Sequence, residues 1–286
     1  MSVVAGSHSK GRLREAALCG MLALTGCARL FGAHPDTPAA PVPAASPKGD
    51  EEREPIELMP PAIATDDDYV VRIVAGQVTC SGTLIDDDQV LTAHHCLTRR
   101  GPHGESLQED VSAATVHVEL GGDDLPWGEV AVRALVTPSC GYVSGDGDLA
   151  VLVLERHLVG IPTKPIRLDE PPGPAEVVEP IGFGRCALSS GGIHRRVRAG
   201  GPIESLAEGR FLLKASICPG DSGGPVLSSR TGEVLGVVSA SVMDGDETTR
   251  DRSEFVRVDH WRPLFANAKL VSKGMHNAEL PPVDCR

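Results

Sequence analysis

Aromatic residues are scarce in this sequence, 3% of 286 positions. So few rings leave no stacking platform for nucleobases. Positive charge is also short: 27 Lys and Arg stand against 39 Asp and Glu, a net of −12. Phosphate contacts need clustered Lys and Arg, so no nucleic-acid partner is expected. Beyond residue 32 no apolar run reaches the roughly 18–20 residues of a membrane-spanning helix. None of the eight cysteines forms a C-x-x-C pair, so a zinc ribbon is unsupported, and neither metal nor cofactor is expected. What is present is enough apolar sequence, 41%, for a folded core.

Lys10, Arg12 and Arg14 precede an apolar run over 16–24 that ends in small residues. Charge, then apolar, then small is the order of a secretory signal. Leu24-Thr25-Gly26-Cys27 resembles the lipobox of bacterial lipoproteins. The resemblance implies a signal peptide over 1–26, acylation of the Cys27 thiol, and a lipid anchor in a bacterial cell envelope. Each buried acyl methylene contributes about 0.8 kcal/mol to such an anchor. Ala28 after Cys27 resembles the sorting signal of outer-membrane lipoproteins. Prolines 35, 38, 41, 43, 47, 55, 60 and 61 follow. Proline blocks both helix and ladder pairing, so 27–62 reads as a disordered, extended tether. Loss of the signal removes three cations and one anion, taking the net charge from −12 to about −14. Six cysteines remain, an even number in an oxidising compartment, which fits three disulfides.

Residues 63–286 read as one folded region. Short β-rich runs lie at 69–74, 78–85, 90–93, 114–120, 130–136 and 150–154. A proline-rich stretch over 162–174 separates them from runs at 175–182, 211–215, 225–227, 234–239 and 254–258. Spacing of this kind points to an all-β sandwich or a pair of barrels. Trp261, Leu264, Phe265, Ala268 and Leu270 recur at a roughly helical period, which predicts a terminal helix over 259–271.

Three segments carry chemistry: Leu91-Thr92-Ala93-His94-His95-Cys96, Asp148-Leu149-Ala150-Val151-Leu152, and Cys218-Pro219-Gly220-Asp221-Ser222-Gly223-Gly224-Pro225. In that order they resemble the signatures of the chymotrypsin-like (trypsin-type) serine proteases, over about residues 68–270. The resemblance implies two six-stranded antiparallel β-barrels, about 68–165 and about 175–258, with a C-terminal helix. It implies peptide or protein substrates, and a monomer is expected. The chemistry explains the residue types. A serine hydroxyl is a weak nucleophile until a base takes its proton. Imidazole can take that proton and return it to the leaving amine. A buried carboxylate fixes the tautomer, and preorganised N–H groups hold the oxyanion. The resemblance assigns Ser222 as nucleophile, His95 as base and Asp148 as orienting acid, with the N–H groups of Gly220 and Ser222 as oxyanion hole. His94 takes a position usually held by a small residue and reads as a packed or hydrogen-bonded histidine. Asp146, Asp123 and Asp124 are rivals to Asp148, but only Asp148 heads an apolar run.

Other roles follow from the same resemblance. Ser216 lies six residues before the nucleophile, at the pocket base. A neutral residue there argues against cleavage after Arg or Lys. Ser239-Ala240-Ser241 resembles the substrate strand, with Ser239 behind the triad and Ser241 narrowing the pocket toward a small or medium apolar P1 residue. The family pairs Cys80 with Cys96. The four remaining cysteines allow three pairings, of which Cys186–Cys218 and Cys140–Cys285 are expected. Arg72-Ile73 looks like an activation cleavage site, yet only seven residues separate Ile73 from Cys80, so 69–76 reads better as a strand and turn. Asp221 would then need an internal partner, for which Arg185 is the candidate. The acidic runs 66–68 and 86–88 lack an EF-hand pattern and read as exposed turn acids, and 194–196 as a solvated basic turn. Trp127 and Trp261 read as packing residues. The competing readings are a non-catalytic surface lipoprotein that binds through this fold, and a broad serine esterase.

Overall fold

The computed structural model describes residues 65–122, 125–186, 192–241 and 252–285. Cys27, Asp123, Asp124 and the segments expected to be a signal peptide and a tether lie outside the described residues.

Strands Val70–Ala75, Val78–Asp86, Gln89–Thr92, Ala150–Leu154, Gly128–Val136 and Val116–Leu120 pair antiparallel in that cyclic order and close a barrel. Alternation sets their faces. Val116, Val118 and Leu120 point inward, while His117 and Glu119 between them are half-buried. Ala150–Leu154 is buried at every position. The helix Arg262–Ser272 explains this, since it lies against that strand and buries Leu264, Phe265, Ala268 and Val271 in the same core. Pro263 sits in the first turn of the helix, where a missing N–H costs nothing. Gly274 ends it at φ +101°, donating its N–H to the Val271 carbonyl at 2.8 Å.

The second half is a sheet in which Val177–Gly182, Pro225–Ser228, Val234–Ser241, Arg252–Arg257 and Arg210–Lys214 are successive neighbours. The segment 201–206 closes it. Gly201–Pro202 pairs with Val177–Gly182, and Ser205–Leu206 pairs with Arg210–Lys214. Its core holds Phe211, Leu213, Val226, Leu235, Val238 and Phe255, with the two phenylalanine rings stacked at 5.3 Å. The described residues are therefore all-β with one α-helix, toward the C-terminus, of the chymotrypsin type. Several short elements escape the sequence patterns, Arg196–Val197 among them. The closing segment begins Gly-Pro, and a hairpin of Thr98–Arg100 with Ser106–Asp110 is too polar to show alternation.

Three surface readings need correction. Asp68 is buried, not an exposed turn acid: it accepts Arg195 Nη1 at 2.7 Å and its own turn's Thr65 N–H at 2.6 Å. Arg195 is accordingly tied down rather than solvated, and it also reaches Thr65 Oγ1 at 3.1 Å. Asp88 is buried too, accepting Ser272 Oγ at 2.7 Å. Arg72 and Ile73 lie inside a strand paired on both sides, and Ile73 is buried in the core. Among the described residues no helix is long and apolar enough to cross a membrane.

Candidate active site

His95, Asp148, Ser222 and Ser239 come together where the first barrel meets the second sheet. His95 lies in the short 3₁₀ turn His94–Leu97 that follows the strand Gln89–Thr92. Asp148 stands just before the strand Ala150–Leu154, which pairs with that same strand, so adjacent ladders deliver both side chains. Asp148 is fully buried and receives three hydrogen bonds. They come from the His95 backbone N–H at 2.8 Å, His95 Nδ1 at 2.8 Å and Ser239 Oγ at 2.5 Å. A carboxylate only accepts, so Nδ1 carries the proton and Nε2 keeps its lone pair. Ser239 reaches Asp148 because its strand is irregular there: Val238 faces Phe255 and Ala240 faces Glu254, leaving Ser239 as the extra residue of a bulge. Bulges re-aim side chains in this way.

Ser222 follows a tight turn. Asp221 N–H bonds the Cys218 carbonyl at 2.9 Å, and Gly224 N–H bonds the Asp221 carbonyl at 2.9 Å. Ser81 of the first barrel clamps the turn, donating its N–H to the Ser222 carbonyl at 2.8 Å and its Oγ to the Gly220 carbonyl at 2.7 Å. At Gly223, φ is +83° and a Cβ would sit 2.2 Å from Thr92 Oγ1, so only glycine fits. Among the described residues the N–H groups of Gly220 and Ser222 meet no protein acceptor. Cys96 Sγ lies 3.7 Å from His95 Nε2 and 3.9 Å from the Ser222 carbonyl oxygen, which brackets base and serine around one disulfide. No hydrogen bond joins Ser222 Oγ to His95 among the described residues; such bonds are commonly long before substrate is bound.

Disulfides join Cys80 to Cys96, Cys186 to Cys218, and Cys140 to Cys285. The second flanks the serine turn, and the third ties the chain's end to the segment leading to Asp148. Cys80, Cys96 and His95 cluster closely enough to suggest a metal site, but the Cys80–Cys96 bond removes both thiolates.

Asp221 is fully buried beside the serine and holds an ion pair with Arg198 at 2.8 Å. It also accepts the N–H groups of Gly184 at 2.8 Å and Cys218 at 2.9 Å. The partner is therefore Arg198 rather than Arg185, which is exposed and contributes its backbone N–H to the Pro219 carbonyl. The basic run 194–198 was the available signal, but it does not say which guanidinium turns inward. Ser216 is exposed, Ala240 is half-buried, Ser239 is buried against Asp148, and Ser241 ends its strand.

Comparisons with known proteins agree with this architecture. The family model described as Trypsin matches residues 60–264. The chain is 27% identical over 202 residues to the peroxisomal leader peptide-processing protease of Mus musculus, covering 66% of this chain and 30% of that protein. It is 29% identical over 205 residues to the cercarial protease of Schistosoma mansoni, covering 61% of this chain and 75% of that protein. A solved structure of a Glu endopeptidase in complex with MPD superposes with a TM-score of 0.57 at 17% identity, covering 74% of this chain and 93% of that one.

Proposed function

This chain belongs to the trypsin family, and from that premise we propose that it is a serine endopeptidase working through an acyl-enzyme. Ser222 is the nucleophile, His95 the general base and then acid, and Asp148 the group that orients the imidazole and stabilises the imidazolium formed when His95 takes the serine proton. The observation that supports this reading best is the Asp148 carboxylate, which takes both the Nδ1–H and the backbone N–H of His95. That arrangement leaves Nε2 as the only ring position able to accept the serine proton. Attack on the scissile carbonyl puts negative charge on its oxygen, which the N–H groups of Gly220 and Ser222 receive. Such donors contribute about 2.7–4 kcal/mol each to the barrier reduction in enzymes of this chemistry. His95 then protonates the leaving amine, and water repeats the sequence in reverse to free Ser222.

By the family resemblance Ser216 stands at the base of the P1 pocket, beside Ser239, Ala240 and Ser241, and it is not an acid, so the P1 residue is small or medium and apolar rather than Arg or Lys. Arg198 gives Asp221 the positive partner that a newly cut N-terminus would otherwise supply, so no activating cleavage at Arg72 is needed. Cys27 carries the lipid anchor, and the tether over 27–62 sets the monomeric domain off a bacterial membrane.

Labelling of the purified mature protein with a fluorophosphonate probe, beside Ser222→Ala, tests the proposal. Wild type labels and the variant does not. Equal labelling or equal peptide hydrolysis by the two overturns the role of Ser222. Labelling that starts only after limited proteolysis upstream of Tyr69 overturns the activation reading alone.

A further inference from the structure

The residue beside the base is not idle. His94 is completely buried, yet both of its ring nitrogens are engaged. Nδ1 meets the Cys140 carbonyl at 2.5 Å, and Nε2 meets an Asp110 carboxylate oxygen at 2.7 Å. The Tyr142 ring lies tilted at 4.5 Å between centroids, and Thr98 Oγ1 donates to the His94 carbonyl at 3.3 Å. The contacts join three elements, that of His94 included. Asp110 ends the hairpin, Cys140 and Tyr142 belong to the strap running to Asp148, and His94 opens the turn that carries His95.

Donor counting decides the state of the ring. A carbonyl only accepts, so Nδ1 must donate. An ionised carboxylate also only accepts, so Nε2 must donate as well, and a neutral imidazole has one N–H. Asp110 has reason to be ionised. Its other oxygen accepts Thr137 Oγ1 at 2.8 Å, its side chain is 28% exposed, and it lines an open groove of about 560 Å³. We infer that His94 is a buried imidazolium paired with Asp110, and that it is a positioning residue: it pins the strap bearing Asp148 to the turn bearing His95, and so sets the His95–Asp148 geometry. The inference rests on the triad reading above. The other ionisable groups around it are Glu109 and Asp110 on the hairpin, Tyr142 on the strap, and His95 and Arg100 on its own side. Burial first, then the charges of Asp110 and Glu109, push the Tyr142 phenol up. Arg100 Nη2 donates to the His95 carbonyl at 3.2 Å. Proton loss from His94 would leave the Asp110 contact without a donor and slacken the strap.

Two readouts test this on the full mature chain. The first is the ¹⁵N and ¹H spectrum of the histidine rings in Ser222→Ala, which reads protonation without needing activity. Two ring N–H protons on His94 at neutral pH are expected, and a single one overturns the charged state. The second is kinetics normalised to fluorophosphonate-titrated sites. His94→Ala is expected to lower kcat by about tenfold or more with KM nearly unchanged, the signature of a misplaced catalytic pair. Asp110→Asn can donate its amide N–H to a neutral Nε2. It should therefore keep kcat near neutral pH and lose the alkaline fall in rate expected of wild type. Unchanged kcat in His94→Ala overturns the positioning role. If His94→Ala does not fold, identical pH profiles for wild type and Asp110→Asn overturn it instead. A wild type that never labels would count against the triad reading, while the ring spectrum still decides the state of His94.

Discussion

Removing the guanidinium that faces Asp221 is the most informative single perturbation. In Arg198→Ala the carboxylate stays fully buried and loses its one ionic partner, keeping only the N–H groups of Gly184 and Cys218. Breaking one end of a buried pair costs about 3–5 kcal/mol. The two surviving bonds to charge, each worth about 1.5–3 kcal/mol, put the expected loss at the low end, about 3 kcal/mol. A domain of this size would melt roughly 6–12 °C lower and still fold at room temperature. The functional effect should be larger than the stability effect suggests. Asp221 lies between Gly220 and Ser222, so a carboxylate that swings toward water drags with it both N–H groups proposed to hold the oxyanion. Loss of one such donor costs about 10²–10³ in kcat. Thermal melting and the second-order rate of fluorophosphonate labelling measure the two effects separately. Asp221→Asn placed on Arg198→Ala removes the orphaned charge and should recover part of the melting temperature. If Arg198→Ala melts within about 2 °C of the parent and labels at the parent rate, the ion pair does not hold the serine turn, and the reasoning fails.

Three other outcomes follow from the same geometry. Gly223→Ala places a Cβ 2.2 Å from Thr92 Oγ1 and 2.3 Å from the Ser81 carbonyl, so the serine turn must shift. Labelling should drop by about 10²-fold while circular dichroism keeps the β signature, and normal labelling would contradict the packing argument. Ser239→Ala removes one of three donors to Asp148; about 1–2 kcal/mol of stability should go, and kcat should fall more than KM changes. Burial first, and then the charge of Asp67, push the Tyr69 phenol up to about 12. Its folded pKa lies above the unfolded value, so the associated stability is full below pH about 10 and is lost as pH rises from there toward 12, at most roughly 2–3 kcal/mol. Urea melts across that window should show this loss in wild type and not in Tyr69→Phe; parallel losses would point to another group.

Strand positions were readable because alternation is local: Val116, Val118 and Leu120 announce their own inward face. The closing segment 201–206 was not readable, because glycine and proline suppress the pattern and only the waiting edges of two neighbours make it a strand. The partner of Asp221 was missed for a similar reason. Arg185 directly follows Gly182-Phe183-Gly184, which made it the candidate, but Arg198 is the one whose path over the strand Val177–Gly182 aims it inward.

What the sequence determined by itself is therefore the chemistry held in contiguous residues. The histidine next to Cys96, the aspartate heading an apolar strand and the serine inside Gly220–Pro225 each sit in a run whose local conformation the neighbouring residues set. Tertiary structure decided every relation between distant residues. Ser239 meets Asp148 across 91 positions, His94 meets Asp110 across 16, and Arg198 meets Asp221 across 23. Such contacts depend on register, a bulge and loop path, and their energies come from burial that no window of sequence contains.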